Sequence, residues 1–317
     1  MTTDSSSGMR LLVTGGAGFI GSNFVRHLLE TYENVEVVTL DALTYAGSKA
    51  NLEGAHEDPR HRFVEGDIRD NALVADLMSD IDFVVNFAAE SHVDRAIDSA
   101  APFVANNIEG TRTLLDAALS ADIERFLQIS TDEVYGEVME GRASENSPLK
   151  PRNPYAATKA AADHLALSYQ TTHGLPVLVT RTCNNYGPGQ NTEKLIPKFI
   201  TNAAAGVELP VYGDGSNIRE WIYVRDNCRA LDRVLRDGDI GEIYNVGTSD
   251  ERSTLEVTHA IVDAVGGADE DQITFVEDRP GHDQRYAIAT EKIEALGWQP
   301  AWAFEDGLAE TVEYYIK

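Results

Sequence analysis

The feature that most constrains the fold is a short apolar run that leads directly into closely spaced glycines. Residues 11–14 predict a buried strand, and a helical pattern extends from Phe19 to about Tyr32. Between them, glycines at 15, 18 and 21 permit a tight turn, close approach of the backbone to a pyrophosphate, and packing of the helix on the strand. This order of strand, glycine turn and helix predicts a dinucleotide-binding unit.

A second strand indicates which dinucleotide this unit prefers. Residues 35–40 form an apolar run that ends in Asp41, 20 residues past Gly21. A carboxylate at this place can accept hydrogen bonds from the adenosine ribose hydroxyls, and it repels a 2′-phosphate. The sequence therefore favours NAD over NADP.

Further apolar runs at 61–65, 83–89, 126–130 and 177–181 alternate with helical segments. Alternation of this kind predicts an α/β fold, a Rossmann-type doubly wound parallel sheet whose ligands sit beyond the carboxyl ends of the strands. We expect residues 1–180 to form an NAD-binding domain, to which the chain returns at about 221–250. Residues 181–317 then form mainly a smaller C-terminal α/β lobe that binds substrate.

Tyr155 and Lys159 stand four residues apart, which places both side chains on one face of a helix. A helix from Pro154 to about Leu167 is predicted because Asn153 suits the N-cap and the run is rich in alanine. An ammonium next to a phenol lowers its pKa from about 10. The pair is therefore a candidate base for oxidising an alcohol, although this spacing alone arises by chance about as often as not.

Two adjacent carboxylates, Asp132 and Glu133, follow Thr131 at the end of a predicted strand. They can act as an acid and a base if their environments push their pKa values apart. A helix cap or a solvated surface is the alternative for such a pair, and without the flanking motifs it is the usual one.

Several motifs in a fixed order, spanning Arg10 to Trp298, resemble the dTDP-glucose 4,6-dehydratases, extended members of the short-chain dehydrogenase/reductase family. The motifs are TGGAGFIGS at 14–22, DALTYAG at 41–47, GDIRD at 66–70, AAESHVDRAI at 88–97, STDEVYG at 130–136, YAATKA at 155–160, RTCNNYGP at 181–188, EKLIPKFI at 193–200 and RPGHDQRYAI at 279–288. The G-x-x-G-x-x-G spacing of the glycines is also typical of this family.

The resemblance implies a reaction in which dTDP-glucose is oxidised at C4, loses water across C5 and C6, and regains hydride at C6. NAD is recycled, and the product is the 4-keto-6-deoxy sugar. Tyr155, assisted by Thr131 and Lys159, would take the proton of the 4-hydroxyl. Glu133 would remove the proton from C5, while Asp132 protonates the departing C6 hydroxyl.

The same resemblance implies a set of binding residues and a homodimer. Implied contacts to NAD are Gly15, Gly18, Phe19, Ile20, Gly21, Asp41, Leu43, Thr44, Asp67, Ile68, Ala88, Ala89, Ser91, Asn106, Tyr155 and Lys159. Implied contacts to the nucleotide sugar are His92, Asn184, Lys194, Leu195, Pro210, Tyr212, Arg219, Asn245, Arg279 and His282.

Other readings remain open at this stage. UDP-glucose differs from dTDP-glucose in its base by one methyl group, which a pocket distinguishes by only about 1–3 kcal/mol. A nucleotide-sugar 4-epimerase or decarboxylase is opposed by the Asp132–Glu133 pair, and a non-catalytic NAD sensor by retention of Tyr155 and Lys159. We predict a cytoplasmic protein with no metal, because spacings typical of metal ligands and an apolar leader are absent from the sequence.

The net charge of the chain also bears on its function. The chain carries 52 acidic and 26 basic residues, a net charge of −26, and only 7 of the basic residues are lysines. This excess argues against nucleic-acid binding and resembles the composition of proteins from salt-loving organisms. At molar salt the Debye length falls to about 3 Å, so the self-repulsion is screened there and acts in dilute buffer.

We therefore predict that the folded state loses stability at low ionic strength. The melting temperature in about 0.1 M KCl should lie well below that in molar KCl, because only concentrated salt screens 26 uncompensated negative charges. Thermal unfolding followed by circular dichroism across a KCl series measures this. Equal melting temperatures at both ends of the series would contradict the prediction.

Overall fold

The computed structural model describes residues 8–266, 269–278 and 282–316. The strands are β1 Met9–Thr14, β2 Val35–Asp41, β3 His61–Glu65, β4 Phe83–Asn86, β5 Arg125–Thr131, β6 Val177–Thr182, β7 Asn184–Tyr186, β8 Leu209–Tyr212, β9 Ile218–Tyr223, β10 Ile243–Val246, β11 Glu251–Ser253 and β12 Ile273–Val276. The α-helices are α1 Phe19–Thr31, α2 Asn71–Met78, α3 Val93–Asp98, α4 Ala101–Phe103, α5 Thr111–Ala121, α6 Pro154–His173, α7 Leu195–Ala204, α8 Val224–Asp237, α9 Thr254–Val265, α10 Glu291–Ala295 and α11 Phe304–Ile316.

The described chain divides into two compact units. The first unit contains residues 8–130, 153–181 and 231–244, and the second contains residues 131–152, 182–230 and 245–316. Each unit is therefore assembled from three separate stretches of the sequence.

A seven-stranded sheet in the order β10-β6-β5-β4-β1-β2-β3 organises the first unit. β1 lies in the middle of the sheet, where it pairs in parallel with β2 on one side and β4 on the other. The order 3-2-1-4-5-6 is that of doubly wound dinucleotide-binding sheets. The predicted fold class is thus confirmed.

The core of the first unit lies between the sheet and helices on its face. Strand residues Leu12, Val84 and Phe126 are fully buried there, together with Leu114 and Leu115 of α5. Strands that are covered on both faces must be apolar along most of their length, which explains why the sequence shows runs rather than alternation.

Two smaller sheets belong to the second unit. One has the order β11-β9-β7, in which β9 runs antiparallel to β11 and parallel to β7, and the other pairs β8 with β12 in parallel. Aromatic rings pack beside the first of them, with Tyr186 and Phe304 centred 5.0 Å apart and Tyr223 and Trp302 4.9 Å apart.

The predicted domain boundaries differ from the observed units in two segments. Residues 131–152 were expected with the cofactor domain but pack with the second unit, because the backbone N–H groups of Val138 and Ala143 donate to Arg285 and Ala287 at 3.0 and 2.9 Å. Of the segment 221–250, only residues 231–244 belong to the first unit. These long-range backbone bonds leave no signal in the local sequence.

Two predicted elements differ in length. The strand expected over residues 83–89 ends at Asn86. The backbone that follows is bonded to the side chain of Asn107, which accepts from Glu90 N at 2.8 Å and donates to Glu90 O at 3.1 Å. α6 begins as predicted, with the Asn153 side chain accepting from Ala156 N at 2.8 Å, but continues to His173, where Gly174 ends it in the left-handed conformation.

Candidate active site

The glycine turn between β1 and α1 has the shape needed to receive a pyrophosphate. Gly15 has a φ of +67°, and a Cβ on Gly15 would lie 2.6 Å from Ala88 N. A Cβ on Gly21 would lie 2.4 Å from the carbonyl oxygen of Gly15. Helix α1 begins with Phe19 and Ile20. Its N-cap, Gly18, has no side chain that would cover the backbone N–H groups of the helix N-terminus. The residues present therefore fit a bound dinucleotide.

Asp41, at the end of β2, ties this turn to the neighbouring strand. Its Oδ2 accepts from Ala17 N at 2.9 Å, and its Oδ1 accepts from Leu43 N at 2.8 Å. Burial raises the pKa of Asp41, which these two backbone hydrogen bonds oppose. A carboxylate held in this way keeps lone pairs for ribose hydroxyls. Leu43, whose φ is +50°, and Thr44 follow it in an irregular segment.

The segment after β4 carries the predicted residues Ala88, Ala89 and Ser91. Ser91 Oγ lies 3.0 Å from the hydroxyl of Tyr45, and the guanidinium of Arg95 lies 4.2 Å from the centre of the Tyr45 ring. Three residues of this region, Tyr45, Arg95 and Asn107, are not among those predicted from the sequence. Their partners lie 46, 50 and 17 residues away, so only the folded chain shows what they hold.

Three further residues predicted to contact the cofactor lie on the first unit. Asp67 follows β3 and accepts a hydrogen bond from Arg69 Nε at 3.0 Å, which lowers its pKa. Ile68 is buried in the core, 6% exposed. Asn106 lies in a π-helical segment, Val104–Gly110, between α4 and α5. Their contacts to NAD stay a prediction.

Tyr155 and Lys159 lie on one face of α6, as the spacing predicted. Tyr155 is half-buried and meets the ring of Phe103 edge-on with the centroids 6.4 Å apart. Lys159 is 5% exposed, and its Nζ donates to the carbonyl oxygen of Ile129 in β5 at 2.6 Å. Burial lowers the pKa of Lys159 to about 8. An ammonium has three N–H groups, so two remain for other acceptors after the bond to Ile129.

The adjacent carboxyl groups of the second unit differ in environment. Asp132 is buried, 3% exposed, and its Oδ2 has no hydrogen-bond partner among the residues that the structure describes. Thr131 donates through Oγ1 to Asp132 Oδ1 at 3.2 Å and accepts from Glu133 N at 3.3 Å. Burial, and next the charge of Glu133, raise the pKa of Asp132 well above its usual value. Glu133 is only half-buried. This difference is the one that an acid and a base side by side require, and the roles of Asp132 as acid and Glu133 as base stay a prediction.

Glu220 on β9, which is not among the residues predicted from the sequence, adds negative charge to the environment of Asp132. It is fully buried, accepts from Thr248 N and Ser249 N at 2.7 and 2.8 Å, and accepts from Arg142 at 3.1 Å. Its charge further raises the pKa of Asp132 and, after burial, that of the Cys183 thiol. The surroundings of Asp132 thus favour neutral forms of acidic groups.

Predicted substrate residues on the second unit differ in accessibility. Tyr212 is 41% exposed, and its ring centre lies 6.4 Å from that of His282, whose Nδ1 is 2.7 Å from Asp278 Oδ1. Arg219 donates to the backbone oxygens of Ile218 and Asp283 at 2.7 and 2.9 Å. The half-buried members of this predicted set are Asn184, Lys194, Leu195 and Pro210.

Three predicted residues stand apart from this group. Asn245 is completely buried, accepts from the hydroxyl of Tyr135 at 2.7 Å and donates to the carbonyl oxygen of Ala143 at 3.0 Å, so in this structure it braces the second unit. His92 belongs to the first unit, where it precedes α3. Arg279 lies outside the described residues.

Neither a metal site nor a membrane span is evident in the part of the chain that the structure describes. No group of three or more His, Cys, Asp or Glu side chains is arranged to hold a metal ion there. Among the same residues, no helix has both the length and the apolar character required to cross a membrane.

Comparison with known proteins places these features in a family. The sequence model of GDP-mannose 4,6 dehydratase matches residues 12–311. The low-salt glycan biosynthesis protein Agl12 of Haloferax volcanii is 68% identical over 97% of this chain and 99% of its own. A dTDP-glucose 4,6-dehydratase of an Actinoplanes species is 51% identical, covering 97% of this chain and 98% of its own.

A solved structure agrees with these relatives. The crystal structure of DesIV from Streptomyces venezuelae, a dTDP-glucose 4,6-dehydratase with NAD and dTDP bound, superposes with a TM-score of 0.94 at 51% identity, covering 97% of both chains.

The raised pKa of Asp132 has a consequence for stability. A carboxyl whose pKa is higher in the folded than in the unfolded chain stabilises the fold at low pH, and that contribution is lost as the pH rises through the folded pKa. Asp132→Asn removes the ionisation. We predict that the melting temperature of Asp132→Asn minus that of the unsubstituted protein increases as the pH rises from about 4, the pKa of an unfolded aspartate, towards the raised pKa of Asp132 in the folded protein.

Thermal unfolding in molar KCl over this pH range measures the difference. Asp263→Asn, which removes a carboxyl from an exposed position of α9, is the matched control against which the pH dependence of Asp132→Asn is compared. A constant difference for Asp132→Asn would mean that Asp132 ionises normally in the folded protein.

Proposed function

The chain belongs to the GDP-mannose 4,6-dehydratase family, and we propose that it converts dTDP-glucose to dTDP-4-keto-6-deoxyglucose and water. The contrast between the two adjacent carboxyl groups supports this most strongly. Elimination of water needs one acid and one base, and Asp132 is buried with a raised pKa next to the half-buried Glu133. The choice of dTDP-glucose as the substrate rests on the relatives that are named dTDP-glucose 4,6-dehydratases.

The first unit is the NAD-binding part of this proposal. The glycine turn, the N-terminus of α1 and the Asp41 carboxylate would hold the pyrophosphate and the ribose, with Lys159 donating to the second ribose. NAD, when bound, accepts the hydrogen of the sugar C4 as hydride and gives it back to C6, so no net reduction results.

The oxidation step requires a base for the 4-hydroxyl proton. Tyr155 takes this proton as phenolate, with Lys159 providing the positive charge that stabilises the phenolate and Thr131 bonding the same oxygen. Lys159 is held in place by its bond to the carbonyl oxygen of Ile129, in the strand that ends at Thr131. The C4 carbonyl that results makes the hydrogen on C5 acidic.

The elimination step uses the carboxyl pair. Glu133 removes the C5 proton, the C6–O bond breaks, and the proton of Asp132 goes to the departing hydroxyl to form water. After hydride adds at C6, the proton on Glu133 returns to C5. Atoms and charges balance over the cycle, because Asp132 is reprotonated by the proton that Tyr155 took from the 4-hydroxyl, relayed through solvent.

The second unit is the nucleotide-sugar part of the proposal. Lys194 and Arg219 carry charge suited to the diphosphate, and the exposed ring of Tyr212 offers a face on which a pyrimidine can stack. The other predicted contacts to the nucleotide sugar are Asn184, Leu195, Pro210 and His282 of the second unit and His92 of the first unit. Thymine is preferred to uracil here because the named relatives act on dTDP-glucose.

We also propose that the protein works in the cytoplasm at high salt, and that its product supplies glycan assembly with a deoxysugar such as rhamnose. The charge of −26 supports the first point. The name of the Haloferax relative, a protein of low-salt glycan biosynthesis, supports the second.

A homodimer is proposed for the assembled enzyme. Val104, beside α4, and Leu119 of α5 are 45% and 38% exposed, which leaves apolar surface on helices of the first unit. Light scattering after size exclusion in molar KCl should give twice the chain mass of 34.7 kDa. A mass near 35 kDa, close to that of one chain, would contradict the dimer.

The proposed reaction is tested by incubating the protein in molar KCl with dTDP-glucose or UDP-glucose and recording product masses. We expect loss of one water from dTDP-glucose with no net NADH. Tyr155→Phe should lower the rate by about 10²–10⁴-fold, since it removes the base for the first step. Glu133→Gln should block water loss while oxidation at C4 still proceeds, so the absorbance of reduced nicotinamide should rise.

Three other outcomes would change the assignment. Water loss from UDP-glucose alone would overturn the choice of nucleotide. An isomer of unchanged mass would identify an epimerase and leave Asp132 and Glu133 without their proposed roles. Unchanged water loss by Glu133→Gln would remove Glu133 as the base at C5.

A further inference from the structure

A buried pair of opposite charges lies one helical turn beyond Lys159 on α6. Asp163 is fully buried, and Arg181 of β6, 2% exposed, donates through Nε to Asp163 Oδ2 at 3.0 Å. Both residues belong to the first unit. Burying such a pair is costly, and hydrophobic residues of similar volume often stabilise a core equally well. The pair is therefore a candidate for a role beyond packing.

The spacing along α6 connects this pair to the reaction. Tyr155, Lys159 and Asp163 stand at positions i, i+4 and i+8, so they follow one another along the same helical face. Burial lowers the pKa of Lys159 to about 8, and the charge of Asp163 opposes that effect. Near pH 8, a modest change in this balance decides whether Lys159 carries a charge.

Arg181 in turn keeps Asp163 able to provide its charge. Burial raises the pKa of Asp163, and the guanidinium of Arg181 is the largest of the influences that oppose this. On the helices packed against α6, which also carry Asp94 and Asp98, Arg112 pairs with Glu109 and Asp116 at the surface and Arg95 lies over the Tyr45 ring. In the part of the chain that the structure describes, Asp163 is the charged group that acts on Lys159.

We propose that Asp163, held by Arg181, is a positioning residue whose negative charge keeps Lys159 in its ammonium form beside Tyr155. Its importance for turnover rests on the proposed function, in which that ammonium stabilises the phenolate of Tyr155. Its effect on Lys159 is a property of the folded protein and is measurable without substrate.

The direct test is the titration of Lys159 by ¹³C NMR. The chain has 7 lysines, so the side-chain signals of protein labelled with ¹³C-lysine are few, and Lys159→Met identifies the one that belongs to Lys159. Asp163→Asn should move the midpoint of Lys159 to lower pH by about one unit, because the attraction is lost while burial remains. Asp163→Glu should restore the midpoint. Asp76→Asn, an exposed position on α2, should leave it unchanged.

The same midpoint for Lys159 in Asp163→Asn as in the unsubstituted protein would overturn the proposal. If Asp163→Asn does not fold because Arg181 is left unpaired, the double variant Asp163→Asn/Arg181→Met replaces it. This variant has no buried unpaired guanidinium, and it should show the lowered midpoint. An unchanged midpoint in the double variant would overturn the proposal equally.

Kinetics supply a second, separate readout. In Asp163→Asn the alkaline limb of the kcat profile should move to lower pH, in step with the NMR midpoint, and Asp163→Glu should return it. A fall in kcat by the same factor at every pH would mean that Asp163 serves packing only. Absence of dehydration by the unsubstituted protein would instead refute the proposed function, while the NMR titration would still decide the role of Asp163.

Discussion

The constraint on which the proposed chemistry depends is the burial of one carboxyl group, that of Asp132, directly next to the more accessible carboxyl group of Glu133. Asp132 follows β5, and its Oδ2 has no hydrogen-bond partner within the described ranges 8–266, 269–278 and 282–316, while Glu133, the next residue, is half-buried. The charge of Glu220 raises the pKa of Asp132 further. Glu220 is itself buried and accepts hydrogen bonds from Arg142 and from two backbone N–H groups. A protein that keeps one carboxyl neutral and its neighbour available as a base can catalyse an elimination that a simple alcohol dehydrogenase cannot.

The parallel sheet of the first unit provides the rigid support for the other half of the chemistry. A ladder of buried side chains crosses its central strands: Thr14 donates to Asn86 at 2.7 Å, and Asn86 donates to Gln128 at 2.9 Å. Lys159 is fixed to the backbone of β5 itself. Because β5 ends at Thr131, the strand that anchors Lys159 also leads directly into the carboxyl pair. Chain continuity thus links the strand that holds Lys159, the proposed stabilising charge, to the proposed acid and base of the elimination.

Local sequence predicted what local sequence controls. The glycine turn, Asp41 at the end of β2, the N-cap at Asn153 and the shared face of Tyr155 and Lys159 all depend on short spacings, and the structure has them. The missed residues act over long distances: Asn107 holds Glu90, Arg181 holds Asp163, and Glu220 acts on Asp132. Asp163 alone had a local signal, since it continues the four-residue spacing after Lys159. The packing of residues 131–152 with the second unit depends on backbone bonds to residues 285–289 and has no such signal.

The protonation of Asp132 is the central claim, and infrared spectroscopy tests it most directly. Difference spectra between the unsubstituted protein and Asp132→Asn, recorded at neutral pH in molar KCl, isolate the carboxyl vibrations of this residue. We predict the carbonyl stretch of a protonated carboxylic acid in the unsubstituted protein, because burial and the charge of Glu133 disfavour the ionised form. A difference spectrum that contains only the stretches of an ionised carboxylate would contradict this account of the acid.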